Sequence, residues 1–284
     1  MIPLPFEYER AATLDDAVAR LAAANGNAKL IAGGHSLVPL MKLRLAQPAR
    51  LIDIGHIPGL SGIRETDGRI EIGAGTVHHD VASSALLRKK CPVVADAAAA
   101  IGDLQVRNRG TLGGSLAHAD PAADYPAAML AADAEMHIIG PRGWRTVKAD
   151  RFFRDLFTSD LAADEILARV QFAPAQASAY SKLYQRASHF AIVGVAAALE
   201  VRNGTIHAAR VGITGAGPSA VRLAGVERAL AGQPASQDAC AAAARDAGAQ
   251  VPAVNADLHA SEDYRRAMIA VFTKRALEGA IARV

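Results

Sequence analysis

Apolar residues at Leu14, Val18 and Leu21 share one face of a predicted short helix. Thr13 precedes them as a natural N-cap, Asp15 and Asp16 occupy the first turn, and Asn25-Gly26 predicts the end. The apolar runs at residues 28–32 and 51–54 read as strands, so the chain opens with a β-α-β unit that closes near His56. Arg69-Ile70-Glu71-Ile72-Gly73-Ala74 then alternates as a half-buried strand. The alanine-rich stretch 93–100 predicts a helix packed against it. Residues 135–139 and 144–147, joined by Gly140-Pro141-Arg142-Gly143, predict a hairpin, and 165–172 a further strand. Residues 174–178, poor in large apolar side chains, read as a linker.

Beyond the linker the pattern changes. Strands are predicted at 180–184, 191–201 and 206–213, with Asn203-Gly204 as a tight turn between the last two. Helices follow around 221–230, 237–248 and 264–282, the last carrying Met268, Val271, Phe272, Leu277 and Ile281 at roughly helical spacing. The class is α+β, ending in a three-stranded antiparallel sheet with a helical bundle. Residues 1–175 form the first domain, with subdomains of about 1–56 and 57–175, and residues 176–284 form the second.

Composition narrows the function classes. The chain has 284 residues, 51% of them hydrophobic, which supports a substantial core. Aromatics are only 5% while alanine is abundant, so helices are expected to pack closely on small side chains. The 31 basic and 28 acidic residues leave a net charge of +3, with no basic block, which argues against a nucleic-acid partner. The start Met1-Ile2-Pro3-Leu4-Pro5-Phe6 has no secretory pattern and no apolar run approaches spanning length, so a soluble cytoplasmic protein is expected. Cys91 and Cys240 are the only cysteines, too few for a four-thiolate iron–sulfur cluster. They read as core thiols rather than a disulfide.

The candidate chemistry lies in two glycine pairs. Ala32-Gly33-Gly34-His35-Ser36-Leu37 follows Lys29-Leu30-Ile31, and Thr111-Leu112-Gly113-Gly114-Ser115-Leu116-Ala117 precedes His118-Ala119-Asp120-Pro121 and Asp124. Both are expected to be turns after strand-like stretches. Their successive N–H groups would form two nests gripping a dinucleotide pyrophosphate from two sides, with hydroxyls of Ser36, Thr111 and Ser115 as extra donors. Asp124 reads either as a ligand acceptor or as a helix N-cap. Arg107 and Arg109 read as electrostatic support for a diphosphate or as members of surface ion pairs. His78-His79-Asp80 lacks a second ligand pair for a metal and reads as a solvated helix start. Gly212-Ile213-Thr214-Gly215-Ala216-Gly217 has Pro218 where a nicotinamide-fingerprint helix should open, and reads as a bend after a strand.

The same motifs carry a family resemblance. Ala32 to Pro39 with Met41-Lys42-Leu43-Arg44, and Arg107 to Asp124, resemble the two flavin loops of the FAD-binding medium subunits of molybdenum hydroxylases, the aerobic carbon monoxide and xanthine dehydrogenases among them. The resemblance extends from Phe6-Glu7-Tyr8 to the last helix. It implies a two-subdomain FAD-binding fold of the vanillyl-alcohol-oxidase (PCMH) type and a C-terminal domain of the CO dehydrogenase flavoprotein type. It implies non-covalent FAD held by Ala32, Gly33, Gly34, His35, Ser36 and Leu37 on one loop. Gly110, Thr111, Gly113, Gly114, Ser115 and Ala117 would hold it on the other. Asp124 would touch the hydroxyl-rich part of FAD, Ile101 and Leu167 would be apolar neighbours, and Phe190 would cover a ring face. Lys182 would lie near the isoalloxazine or ribityl chain.

The resemblance further implies partners: a small subunit with two [2Fe–2S] clusters and a large subunit with molybdopterin, assembled as a dimer of heterotrimers. Electrons would leave the flavin for quinone, NAD⁺ or another external acceptor, and no catalytic base is expected in this chain. Location would be cytoplasmic, with any membrane association supplied by partners. The rival enzyme reading is a self-sufficient FAD oxidase of the vanillyl-alcohol-oxidase type, in which a histidine placed like His35 bonds covalently to flavin. The non-enzymatic rival is an assembly scaffold that binds no flavin.

Overall fold

The computed structural model describes residues 2–284. The chain opens with β1 (Glu7–Arg10), α1 (Leu14–Ala23), β2 (Ala28–Ile31), α2 (Leu37–Lys42) and β3 (Arg50–Asp53). The three strands are parallel in the order β1-β3-β2, with Tyr8 opposite Leu51 and Leu30 opposite Ile52. Thr13 caps α1 as its sequence implies, accepting the Asp16 N–H at 3.1 Å. Strand β1 gives little apolar signal because polar contacts hold it at the edge. Glu7 and Glu9 pair with Arg50 at 2.9 and 3.0 Å, and Tyr8 Oη donates to Asp53.

A second unit follows: β4 (Ile63–Thr66), β5 (Arg69–Gly73), α3 (His78–Ser83), α4 (Ala85–Lys90), α5 (Pro92–Ala99), α6 (Leu104–Arg107), α7 (Leu112–His118) and α8 (Tyr125–Ala131). It continues through β6 (Glu135–Gly140), β7 (Gly143–Lys148), α9 (Ala149–Phe152), β8 (Phe153–Asp155), β9 (Thr158–Ser159) and β10 (Ile166–Phe172). The main sheet is antiparallel in the order β4-β5-β10-β6-β7, so the predicted hairpin and the strand after it are both present. Val93, Val94, Ala97 and Ala98 of α5 are wholly buried, as the alanine-rich pattern implies.

The last unit comprises β11 (Ser178–Tyr184), β12 (Ala191–Arg202), β13 (Thr205–Thr214), β14 (Val221–Arg222), α10 (Ala224–Leu230), α11 (Gln237–Ala244), a 3-10 turn at Ala247–Gln250, and α12 (Glu262–Ile281). The three predicted strands gain a two-residue fourth: Val221 and Arg222 pair with Ile213 and Gly212, so the helix expected from 221 starts at 224. Strand β12 is buried on both faces. Ala196 and Ala198 join the core beneath α5 and α8, while Val193, Val195, Ala197 and Leu199 join the core under α12. Small residues permit this approach. A Cβ on Gly212 would strike the Ala127 carbonyl of α8. Cys91 and Cys240 are free thiols within these cores, and burial pushes them up to about 12 and about 11. Among the described residues no helix is long and apolar enough to cross a membrane.

Candidate functional site

Strand β2 ends at Ile31, and the chain turns through Ala32-Gly33-Gly34-His35-Ser36 into α2. Gly34 has φ +75°, a left-handed conformation that excludes most side chains. Gly33 is constrained by space instead. A Cβ there would run into the Arg109 carbonyl oxygen and lie 2.8 Å from Gly110 Cα, so the first loop rests directly on the second. Among the described residues, the N–H groups of Gly33, Gly34, His35, Ser36 and Leu37 donate to no protein acceptor. The Ser36 hydroxyl makes no capping bond either. Five consecutive unengaged donors make a concavity suited to an anion.

The second glycine pair differs from its expected form. It follows the short helix α6 rather than a strand, and Gly113 and Gly114 form the first turn of α7. Its amide groups are already engaged: Leu112 N–H donates to Thr76 O at 2.9 Å and Gly113 N–H to Ala74 O at 2.8 Å. Gly114 N–H donates to Thr111 Oγ1 at 3.1 Å, and Ser115 N–H to Thr111 O at 3.0 Å. This loop is therefore a wall, not a second nest. Glycine is required for proximity: a Cβ on Gly113 would lie 2.8 Å from Ala74 O.

Between the loops opens a cavity of about 870 Å³, within the usual range for cofactor sites. Ile101, Leu167 and Phe190 give it apolar wall, and Asp124 a carboxylate. The β13 exit positions that carboxylate. Thr214 Oγ1 donates to Pro121 O and Ala123 O at 3.0 and 2.7 Å, and Gly215 N–H to Pro121 O at 2.8 Å. Asp124 Oδ1 accepts from Tyr180 Oη at 2.6 Å and meets Lys182 Nζ at 2.8 Å. Burial pushes the Asp124 carboxyl up against the opposing pull of Lys182, and burial pushes the Lys182 ammonium down.

The family described as FAD binding domain in molybdopterin dehydrogenase matches residues 4–175, and CO dehydrogenase flavoprotein C-terminal domain matches residues 178–280. The chain belongs to this family. It is 41% identical to the carbon monoxide dehydrogenase medium chain of Hydrogenophaga pseudoflava, covering 100% of this chain and 99% of that one. It is 34% identical to the nicotine 6-hydroxylase medium subunit of Paenarthrobacter nicotinovorans over 97% of both. The solved carbon monoxide dehydrogenase of H. pseudoflava superposes with a TM-score of 0.95 at 42% identity, covering 100% and 99% of the chains. Quinoline 2-oxidoreductase of Pseudomonas putida 86 superposes at 0.92 and 32%, covering 99% of each. The chain is thus the FAD-binding medium subunit of a molybdenum hydroxylase resembling CO dehydrogenase, an oxidoreductase component.

Measured against the medium-subunit pattern, sixteen of the seventeen predicted site residues line the cavity, from Ala32 to Phe190. Lys182 does not. Its ammonium turns behind Asp124, where it also donates to Ala100 O and His189 O at 2.7 and 2.6 Å. The N-cap reading of Asp124 fails too, because its side chain makes no capping bond and is held by partners on β11. Arg107 neither lines the cavity nor joins an ion pair among the described residues; it ties down Ile101 O and Gly102 O at 2.8 and 3.0 Å. Arg109, exposed, lines no wall of the cavity either. The Gly212–Gly217 segment does bend out of a strand, as read. His78 is the residue the sequence misplaces: it is buried at the cavity wall, not solvated. Its spacing from Val81, the other buried residue of α3, was the available signal.

Proposed function

We propose that this subunit holds FAD non-covalently in the cavity between the two glycine loops and relays electrons from partner [2Fe–2S] clusters to an external acceptor. The unengaged N–H run from Gly33 to Leu37 carries this reading, because a diphosphate needs donors that the fold has not used. FAD, when bound, supplies a carrier able to exchange electrons singly or in pairs. The first-loop amides and Ser36 hold the anionic oxygens. Gly114 and Ala117 leave room on the opposite wall, where Ser115 adds a hydroxyl and Asp124 an acceptor for a cofactor hydroxyl. Ile101, Leu167 and Phe190 exclude water from the apolar portion.

The relatives' names, medium chains and medium subunits, support small and large partners; in this reading the small one carries iron–sulfur clusters, the large one molybdopterin, and the whole is a dimer of heterotrimers. The large subunit selects the substrate, whether carbon monoxide, an N-heterocycle or an aldehyde, and the acceptor is a quinone, NAD⁺ or another oxidant. The domain boundary lies at 175/176, within a segment joining β10 to β11. Location is cytoplasmic, with any membrane contact made through partners.

Two experiments test this reading. Acid precipitation should release essentially all the yellow chromophore into solution. Flavin retained in the pellet would favour the self-sufficient oxidase with a covalent link at His35, whose ring lies exposed on the first loop. The purified chain loaded with FAD should oxidise none of the three substrate classes with an artificial acceptor. Turnover should require the cluster and molybdenum subunits, and robust turnover by the chain alone would refute the relay role.

A further inference from the structure

The seam between the two glycine loops contains a polar side chain without a role so far. His78 opens α3 and is 4% exposed, and its backbone N–H donates to Gly110 O at 2.9 Å. Its Nδ1 lies 3.2 Å from Tyr125 Oη, with ring centroids 5.3 Å apart. Its Nε2 has no partner among the described residues, yet it is not sealed off, since the ring lines the cavity. It stands 2.6 Å from where a Cβ on Gly110 would fall, and Gly110 Cα in turn stands 2.8 Å from where a Cβ on Gly33 would fall. Nε2 therefore sits beside the junction of the anion-binding loop and the opposite wall.

Hydrogen-bond accounting decides where the ring proton resides. Tyr125 is fully buried, and its hydroxyl has no other partner among the described residues. A buried phenol needs an acceptor, and Nδ1 is the one in reach. Tyr125 therefore donates, Nδ1 accepts, and the proton is carried on Nε2. Burial, helped by the nearby Arg107 guanidinium, pushes the imidazole down to about 4, so it is neutral at pH 7. The second loop has few donors to spare. Its Leu112, Gly113 and Gly114 amides are engaged by Thr76, Ala74 and Thr111, so His78 Nε2–H adds a donor on that side to the Ser115 hydroxyl.

We propose that His78 is a cofactor-binding residue whose Nε2–H donates to an oxygen in the phosphate-bearing part of FAD, and that Tyr125 is the positioning residue that fixes this tautomer. The inference rests on FAD occupying the cavity.

The test is a fluorescence titration of the full chain, stripped of flavin, with FAD at pH 7. His78→Leu should raise Kd about 10- to 100-fold, the range for a hydrogen bond to a charged acceptor. His78→Gln, which keeps a donor, should remain within about threefold of wild type. In ¹⁵N NMR of the wild-type chain, the His78 ring should show a protonated Nε2 whose shift moves when FAD is added. Tyr125→Phe should turn that signal into a mixture of tautomers and weaken FAD binding. A folded His78→Leu variant with wild-type Kd overturns the proposal. So does a His78 ring signal unmoved by FAD, which needs no variant to fold. A Tyr125→Phe chain that keeps the single tautomer removes the positioning role. A wild-type chain that fails to bind FAD defeats the cavity reading itself, an outcome separable from all of these.

Discussion

Gly33→Ala should leave a folded protein that has lost its flavin. The added Cβ would meet the Arg109 carbonyl, Gly110 Cα at 2.8 Å and Arg109 C at 2.9 Å, all backbone atoms with no rotamer to yield. Overpacking of this kind costs about 1–3 kcal/mol, which the first loop can relieve by lifting away from the second. Lifting displaces the Gly33–Leu37 amides from the opposite wall, so FAD affinity should fall by about 100-fold, the equivalent of that strain appearing in binding. Gly204→Ala is the control. It places a side chain at positive φ, +75°, in the turn between β12 and β13, but its Cβ meets nothing within 4 Å and it lines no wall of the cavity. The measurement is the flavin-to-protein absorbance ratio after gel filtration, with far-UV circular dichroism as the check on folding. Full flavin content in a folded Gly33→Ala chain would mean that the seam does not govern the site.

The contrast between the two glycine pairs shows what the amino-acid sequence reveals about this site. Both pairs were readable as places where side chains are forbidden, and both line one cavity. Their reasons differ in ways that local pattern does not express. Gly34 needs a left-handed φ, a local property that a Gly-Gly pair after a strand expresses. Gly113 needs room against Ala74, a contact across 39 positions, so a local pattern that implies a turn belongs to a helix start. The N-cap alternative for Asp124 and the expected place of Lys182 in the cavity miss for a similar reason. Asp124-Tyr125-Pro126 satisfies the composition of a helix N-terminus, but the carboxylate is claimed by Tyr180 and Lys182 on another sheet. Elements with a strong apolar pattern, such as α1, the hairpin β6–β7 and the long strands β12 and β13, are legible because burial decides them, on one face of α1 and on both faces of β12. Strand β1 carries no such pattern, since ion pairs to Arg50, not apolar alternation, hold it in register.

Lys182→Met should destabilise the fold by about 3–5 kcal/mol, the usual result of leaving one member of a buried ion pair alone. Both side chains are 5% exposed, so water cannot replace the lost ammonium. The variant also frees Ala100 O and His189 O, two carbonyls that Lys182 joins across the end of α5 and the segment after β11. For a chain of this size the loss should lower the melting temperature by about 10 °C. Asp124→Asn combined with Lys182→Met removes the stranded charge, retains an acceptor for Tyr180, and should recover most of the loss. The pH dependence follows from the direction in which burial moves Asp124. Without Lys182 its carboxyl is raised further above the unfolded value, so the folded state holds the extra proton across that interval. Stability of the single variant is therefore retained in acid and lost as pH rises through the folded value. Its deficit against wild type should be larger at pH 8 than at pH 5, and the double variant should not show that trend. Thermal melts of the four chains at both pH values decide the matter. A single variant that melts with wild type at pH 8 would show that Asp124 does not depend on Lys182 for its charge.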